Sequence, residues 1–315
     1  MLNNKIAEIL ICPTCGRKIN FADKIICNNC NTIYPLVEGI PILINENNSL
    51  FSIEQFIKKE NTTVNLNMHK RIRIRKILTK LLPSITKNFK AKANFTKFRN
   101  FLNKSGENPV VLIIGGGALG VGINEVIEDK KITFIESDVS FGPRTQIIAD
   151  AHSLPFAAES IDGVIVQAVL EHVVDPYKCV EEIHRVLKQG GIVYSETPFM
   201  QQVHVARYDF TRFTDLGHRR LFRKFAEIER GIAVGPAVAL AWHLQYFMMS
   251  FTNNAFLRKV IKLISSFLFF WLKYFDYYLI RKNSSYEAAS GFYFMGRKSD
   301  KTLSDRELIN LYRGI

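Results

Sequence analysis

The stretch Val110–Gly122, VVLIIGGGALGVG, decides the fold of this chain. Five apolar residues in a row predict a buried strand, and the glycines after them predict a sharp turn where main chain can approach a ligand that a Cβ would exclude. Outward from this stretch, Asp138 and Asp150 fall at the spacing of successive strand ends. A carboxylate at the tip of the next strand can accept hydrogen bonds from a ribose diol, so the ladder reads as a nucleotide-cofactor site. Gly115, Gly117 and Gly120 also satisfy the dinucleotide pattern G-x-G-x-x-G. On the glycines alone, a nicotinamide-dependent oxidoreductase therefore stays open.

Strands and helices alternate on either side of the loop. The pattern predicts strands at Val110–Ile114, Ile132–Glu136, Thr145–Ala149, Gly163–Gln167 and Gly191–Glu196, with helices near Val121–Glu128 and at Pro176–Lys188. Such alternation implies an α/β fold, a doubly wound and mainly parallel sheet covered by helices. Gln189-Gly190-Gly191 is placed to stop the second helix. Beyond Pro198, Phe225–Val234 and Gly291–Arg297 read as two more strands able to pair antiparallel, with residues 235–283 as a helical insertion between them. Its apolar run, Val260–Ile280, is interrupted by Lys262, Lys273 and Asp276 and is too short to span a bilayer, so no transmembrane helix is expected. The insertion either covers the substrate site or a subunit interface, or lies on a membrane, where the flanking Arg258, Lys259, Arg281 and Lys282 would suit anionic lipid.

With 315 residues, 47% hydrophobic and 23% charged, the composition excludes a largely disordered or fibrous protein. The opening MLNNKIAEILICPTC lacks the pattern of a secretory leader, so a cytoplasmic protein is expected, with peripheral membrane contact left open. The net charge of +13 is concentrated in Lys70–Lys104, which holds twelve Lys and Arg residues and no acid. A field of that sign attracts phosphates on nucleic acid, membrane or substrate without choosing among them, and a solvated helical linker is the plainer alternative. Ile72, Ile74, Ile77, Leu78, Leu81 and Leu82 predict an amphipathic helix ending at Pro83, and Phe89, Phe95, Phe98 and Phe101 mark a second helical stretch.

Near the N-terminus, Cys12-Pro-Thr-Cys15 and Cys27-Asn-Asn-Cys30 form two C-x-x-C knuckles, suited to one tetrahedral zinc ion held by four thiolates. Four protein ligands leave no open position, so the zinc is expected to be structural, and a module this small would draw much of its folding free energy from the metal. Paired disulfides would need an oxidising compartment. Cys179 lies in a helical pattern and reads as core. After the knuckles, Thr32–Ile44 suggests short strands broken at Pro35 and at Gly39-Ile-Pro41. This part resembles small zinc-ribbon proteins and the N-terminal ribbons of bacterial methyltransferases. The expected organisation is a zinc ribbon at 1–48, a basic helical linker at 49–106 and the α/β domain at 107–315.

Four further runs discriminate among cofactors: Ala149-Asp-Ala-His-Ser-Leu-Pro-Phe156, Ser160-Ile-Asp-Gly-Val-Ile-Val166, Val169-Leu-Glu-His-Val-Val-Asp-Pro176 and His184-Arg-Val-Leu-Lys-Gln-Gly-Gly191. In order and spacing they resemble class I S-adenosylmethionine-dependent methyltransferases over about Val110–Thr197. The resemblance implies a Rossmann-like methyltransferase sheet binding S-adenosylmethionine. By it, Gly115 and Gly117 line the methionine part, Asp138 holds the ribose hydroxyls, Asp150 with the Ala151 amide reads adenine, and Gln167 and Ala168 lie against the sulfonium. The family often has an acid two places before the first glycine, where this chain has Ile113, which leaves amino-group recognition open and is the best argument for a binding-only protein. Glu136 competes with Asp138 for the ribose, although Asp138-Val-Ser140 resembles the family's D-[IV]-S. Asp150 has a structural alternative as a turn or helix cap.

An activated methyl needs in-line alignment more than chemistry, and no catalytic metal is required for it. A hydroxyl acceptor would gain from a general base. Candidates lie past the fifth strand of the α/β domain, in Glu196–His204 and Arg207–Phe213, because ligands of open α/β sheets bind beyond the carboxyl ends of strands. His204 is the first choice. Asp209 is the second, as base or as the carboxylate that orients a histidine, with Arg207 or Arg212 as clamps for an anionic acceptor. His172 either faces the site or is packed, and His218 reads as a surface or cap residue. Two acceptor classes fit. A zinc ribbon beside a basic segment is reminiscent of ribosomal RNA base methyltransferases, whereas the ETPF…H…YDF-x-RFT stretch resembles bacterial methyltransferases of small-molecule or surface-glycan type, which is favoured. An apolar insertion would suit a lipid-linked sugar.

Overall fold

The computed structural model describes residues 4–21, 25–60, 62–63 and 83–315. The expected helix over Ile72–Leu82 and the first half of the basic stretch lie outside the described residues.

A small antiparallel sheet is formed by β1 (Asn20–Phe21), β2 (Ile25–Ile26) and β3 (Ile33–Tyr34). The large sheet has nine strands. In chain order they are β4 (Leu36–Val37), β5 (Ile40–Leu43), β6 (Val110–Ile114), β7 (Thr133–Asp138), β8 (Ile147–Ala149), β9 (Ile161–Gln167), β10 (Leu187–Pro198), β11 (Phe225–Val234) and β12 (Gly291–Lys298). Their spatial order is β11-β12-β10-β9-β6-β7-β8-β5-β4. From β5 to β10 every neighbouring pair is parallel, whereas β10–β12, β12–β11 and β4–β5 are antiparallel. All five residues of β6 are buried, as expected of a central parallel strand covered on both faces. From β6 the chain adds strands first on one side, β7 and β8, and then on the other, β9 and β10, and this switch opens a crevice at the carboxyl ends of β6 and β9.

Two local expectations are corrected. The helix expected over Pro176–Lys188 ends at Val186, and Leu187 is already extended. The glycines thought to stop it sit instead in a bulge of β10, whose register with β9 jumps between Leu187 and Ile192, with Gly190 at φ +72°. The helix expected near Val121–Glu128 shrinks to Asn124–Ile127. Gly122 there takes φ +87°, with Ala91 packed where its Cβ would stand. The phenylalanine-marked stretch forms helix Ala91–Ser105, which buries Phe95, Phe98 and Leu102 on the sheet. Gly163 makes that approach possible, since a Cβ there would lie 2.9 Å from Leu102 and 3.0 Å from Phe98.

The N-terminal module does not stand apart. Strand β5 pairs with β8, Ile42 opposite Ile148 and Leu43 opposite Ala149. The Ile11 amide donates to Pro155 O at 3.0 Å, the Ala157 amide donates to Ile9 O at 2.8 Å, and Leu10, Ile25 and Tyr34 share one core with Leu154 and Phe156. The C-terminal insertion behaves in the opposite way. It comprises helices Pro236–Met249 and Ala255–Phe269, a 3₁₀ turn Leu272–Phe275 and helix Asp276–Leu279. Asp276 does not merely interrupt an apolar run. Its buried carboxylate accepts from the Ala237 and Val238 amides at 2.9 and 3.1 Å and so caps the first of these helices. Phe247, Phe251, Phe256, Phe267, Trp271 and Tyr277 remain exposed on this insertion.

Candidate active site

Turns at the ends of β6 and β7 build one wall of the crevice. Gly115 adopts φ +77°, and its amide and that of Gly116 both donate to Ser137 O at 2.9 Å, which pulls the glycine turn onto the end of β7. The Gly117 amide donates to Asp138 Oδ2 at 2.9 Å, and a Cβ on Gly117 would lie 2.7 Å from that oxygen. Desolvation pushes the Asp138 pKa up to about 6, against the pull of the Gly117, Ser140 and Val139 amides. A cavity of about 310 Å³ opens here, and Gly115, Gly117, Asp138, Asp150, Ala151 and His204 all line it. Glu136, the competitor for the ribose, is not part of that lining. Its buried side chain is ion-paired with Arg144, whose Nε donates to it at 2.9 Å. Ile113 points into the core.

The opposite wall of this end of the cavity comes from the turn after β8. Asp150 Oδ1 accepts from the His152 amide at 3.0 Å and meets His152 Nδ1 at 2.6 Å, so the carboxylate does serve as a turn cap while lining the cavity. Because the Asp175 amide donates to His152 Nε2 at 3.1 Å, Nδ1 carries the proton of that ring. Burial works to raise the Asp150 pKa, but the His152 hydrogen bonds outweigh it and hold the carboxyl below its ordinary value. Ser49 donates to its other oxygen. Leu50, Phe51 and Thr63 also line the cavity, and Thr62 and Thr63 hydrogen-bond Ser140 at 2.6 and 2.8 Å. The segment expected to be a basic linker thus supplies part of the wall. No motif pointed to these residues, because contacts across some 80 to 100 positions leave no local pattern.

Gln167 lies outside the lining. Its Nε2 donates to Val121 O at 3.1 Å and to Glu196 Oε2 at 2.9 Å, in space left by Gly120, whose Cβ would sit 1.9 Å from Gln167 Oε1. Ala168, at φ +54°, lines the cavity in its place.

At the far end stand the loop after β10 and the turn after β9. Asp209 is ion-paired with Arg212, whose Nη2 donates to it at 2.8 Å, and it accepts from the His204 amide at 2.8 Å, with His204 Nδ1 3.4 Å away. Burial would raise the Asp209 pKa, but Arg212 holds it down at about 2. Asp209 is thus committed to Arg212 and to the His204 backbone, with the His204 ring beside it. Arg212 is also committed to Gln201 O and Gln202 O, and Arg207 lies over the Tyr208 ring, so neither is a free anion clamp. Contact with Glu171 raises the His204 pKa against desolvation, whereas burial lowers that of His172. His172 faces the cavity, with Nδ1–H donating to Tyr208 O at 2.8 Å. Glu171 is fully buried between the two rings, a placement visible in the sequence only as the middle letter of Leu170-Glu-His172.

His218 is corrected from surface to core. It is buried, Nε2 meets Ser195 Oγ at 2.9 Å, and desolvation drives its pKa down to about 3.

Cys12, Cys15, Cys27 and Cys30 are unbridged and converge, their sulfurs within 4.8 Å of one another. Zinc–sulfur bonds of about 2.3 Å place tetrahedral sulfurs roughly 3.8 Å apart. The spacings of 3.6 Å between Cys12 and Cys30 and 3.4 Å between Cys15 and Cys27 suit that ion. Tyr34 Oη lies 3.0 Å from Cys12 Sγ and Thr32 Oγ1 3.1 Å from Cys30 Sγ; the latter contact lowers the Cys30 pKa to about 6. Cys179 is buried in the core, as expected.

Residues 127–195 match the family described as a methyltransferase domain. The demethylmenaquinone methyltransferase of Clavibacter sepedonicus is 34% identical over 90 residues, 29% of this chain and 32% of that protein, so the chain spans about a third of that relative. A UPF0434 protein of Cupriavidus taiwanensis is 35% identical over 46 residues, 14% of this chain and 69% of that protein. The crystal structure of an S-adenosylmethionine-dependent methyltransferase from Archaeoglobus fulgidus superposes with a TM-score of 0.38 at 14% identity, covering 66% of this chain and 94% of that one.

Proposed function

Given that the chain belongs to the UPF0434 family through its N-terminal module and carries a methyltransferase domain in its sheet, we propose that it moves the methyl group of S-adenosylmethionine to a hydroxyl of a small molecule or lipid-linked glycan. One observation supports this above all. A single cavity has a side-chain-free cradle and a carboxylate at one end and an oriented imidazole at the other.

The donor fits the first end. A Cβ on Gly117 would collide with Asp138, so bare main chain and a carboxylate face the same space, as a ribose diol and an amino-acid moiety require. S-adenosylmethionine supplies the electrophilic methyl. The chain's own residues do the rest. Asp138 would accept the ribose hydroxyls, Gly115 and Gly117 would flank the methionine part, and Asp150 with the Ala151 amide would meet the adenine. Ala168 replaces Gln167 beside the sulfonium. At the second end, His204 Nε2 is placed to act on the acceptor hydroxyl, while Asp209, held by Arg212, fixes the ring.

The insertion suits an acceptor carried on a lipid. Its Tyr246 lines a second cavity with Gln202, Asp209 and Arg212, next to the acceptor end. Its exposed aromatic residues lie among the exposed Lys259, Lys262, Arg281 and Lys282. That pairing of apolar rings and positive charge matches an anionic lipid surface, although no helix among the described residues is long and apolar enough to cross a membrane.

The deciding experiment supplies labelled S-adenosylmethionine to purified protein with cell extract and fractionates the products. Label in lipid-linked glycan or a small molecule is the expected outcome, and label confined to RNA would replace this acceptor class with the other. Vesicles rich in phosphatidylglycerol should retain the protein, and paired Phe251→Ala and Phe256→Ala changes should release it.

A further inference from the structure

One group is left unexplained at the acceptor end. Glu171 is fully buried, yet neither of its carboxyl oxygens has a hydrogen-bond partner. A buried carboxyl group left so is costly, and its neighbours do not relieve it. The nearest nitrogens, His172 Nε2 at 3.6 Å and His204 Nε2 at 3.7 Å, lie beyond hydrogen-bond reach. Both rings are set by their other nitrogen. His172 Nδ1–H donates to Tyr208 O at 2.8 Å, and His204 Nδ1 faces Asp209 Oδ2 and Gln202 O, each at 3.4 Å. In its neutral form an imidazole whose Nδ1 carries the proton presents a lone pair at Nε2, and a metal ion there would take the place of the proton that Glu171 otherwise favours on His204. Two nitrogen lone pairs and a carboxyl oxygen thus converge on one point, their ligand atoms all within 4.8 Å of one another.

We infer that Glu171, His172 and His204 form a divalent transition-metal site at the acceptor end of the cavity, separate from the cysteine cluster. Bonds of about 2.1 Å to nitrogen and oxygen place tetrahedral ligands roughly 3.4 Å apart, close to the 3.6 and 3.7 Å from Glu171 to the two ring nitrogens. Outer contacts to Tyr208 O and to the Asp209 carboxylate fix ring orientation and tautomer as ligand histidines require. Two imidazoles and a carboxylate suit Zn²⁺, Mn²⁺ or Fe²⁺, whereas thiolates are the softer set. Three protein ligands leave a coordination position open, and both histidines line the cavity.

The inference rests on the proposed methyl transfer only for what the ion does, and there it turns His204 from base to ligand. An acceptor hydroxyl bound at the open position would have a lowered pKa and give its proton to solvent water. Its oxygen then bonds the methyl carbon, and the carbon–sulfur bond breaks with its electron pair kept by sulfur. The products are the methyl ether and S-adenosylhomocysteine.

The test uses the full chain with its ribbon zinc in place, because Mn²⁺ is a poor match for four thiolates. After saturation with Mn²⁺ and removal of loose metal, wild-type protein should hold two ions per chain, the ribbon zinc and one more. His204→Ala and Glu171→Gln should weaken the second by about 100-fold or more, while zinc stays near one per chain and S-adenosylhomocysteine affinity changes less than about twofold. A wild-type protein with no saturable site beyond the ribbon would overturn the inference even if the variants fail to fold, and so would variants that bind Mn²⁺ like wild type. In both cases Glu171 is left to its ion-pair contacts with the two histidines. Methyl transfer with only ribbon zinc present would remove the ion's part in the reaction and leave the proposed activity standing. Two ions without binding of S-adenosylhomocysteine would do the reverse.

Discussion

The two ends of the cavity are built from different materials. The donor end is main chain and strand tips: three glycines after β6, Asp138 closing β7 and Asp150 just past β8. The acceptor end is side chains on turns and loops, with Glu171 and His172 after β9 and His204 and Asp209 after β10. Strand tips are held by the sheet, so a fixed cofactor can be met by groups whose spacing repeats along the chain. Loops carry no such constraint, and the chemistry that distinguishes one acceptor from another sits on them.

Chelation offers the strongest way to break this division. The cysteine module supplies β5 to the edge of the sheet beside β8, and Ser49, just beyond it, meets Asp150. Structural zinc in such modules is worth on the order of 10 kcal/mol, so stripping it should unfold the module, lower the melting temperature and weaken donor binding together. Calorimetry with S-adenosylhomocysteine before and after chelation reads both. An unchanged donor affinity would mean that the donor end stands on β6–β9 alone.

A smaller and more selective effect is expected at the acceptor end. His204→Ala should lower labelled methyl transfer by about 10²–10⁴-fold with donor affinity within about twofold of wild type, if the imidazole serves the acceptor end only, as base or as metal ligand. Asp138→Ala should do the converse. Losing one charge-assisted hydrogen bond of the proposed contact to the ribose, worth about 1.5–3 kcal/mol, should weaken donor binding by roughly ten- to a hundredfold, measured by the same calorimetry. If the two variants lose the same property, the two ends are not separable.

An effect confined to acid pH contrasts a core histidine with the cavity pair. Burial pushes the His218 pKa down to about 3 in the folded chain, against about 6.5 in the unfolded one, so the unfolded state binds more protons between those values. The stability it contributes is whole above about pH 6.5 and falls by up to about 1.4 kcal/mol per pH unit below it, until about pH 3. Urea unfolding of His218→Gln should show a shallower acid limb than wild type, whereas His204→Gln should not.

Much of this was legible before folding. Glycines, strand-tip acids and cysteine knuckles are signals a few residues long whose geometry follows from local backbone, and Gly115, Gly117, Asp138 and Asp150 do share one cavity. Legibility failed where a distant partner decided the outcome. Gln189-Gly-Gly191 is as good a helix stop as a bulge, and pairing of β10 with β9 selected the bulge. Polar His218 reads as surface until Ser195 and the surrounding phenylalanines enclose it. Gln167 stood in the right motif but turned toward Glu196.

Periodicity and spacing by themselves determined an α/β sheet with a glycine turn at its centre, a four-thiol metal module and a class of cofactor, because each is encoded within one turn or one strand. Only the tertiary structure decided that the metal module donates a strand to the large sheet, that the insertion keeps its aromatic face exposed, and that Glu171 lies without a hydrogen-bond partner between His172 and His204. Those facts depend on groups brought together from far along the chain, where packing and desolvation, rather than local propensity, set the balance.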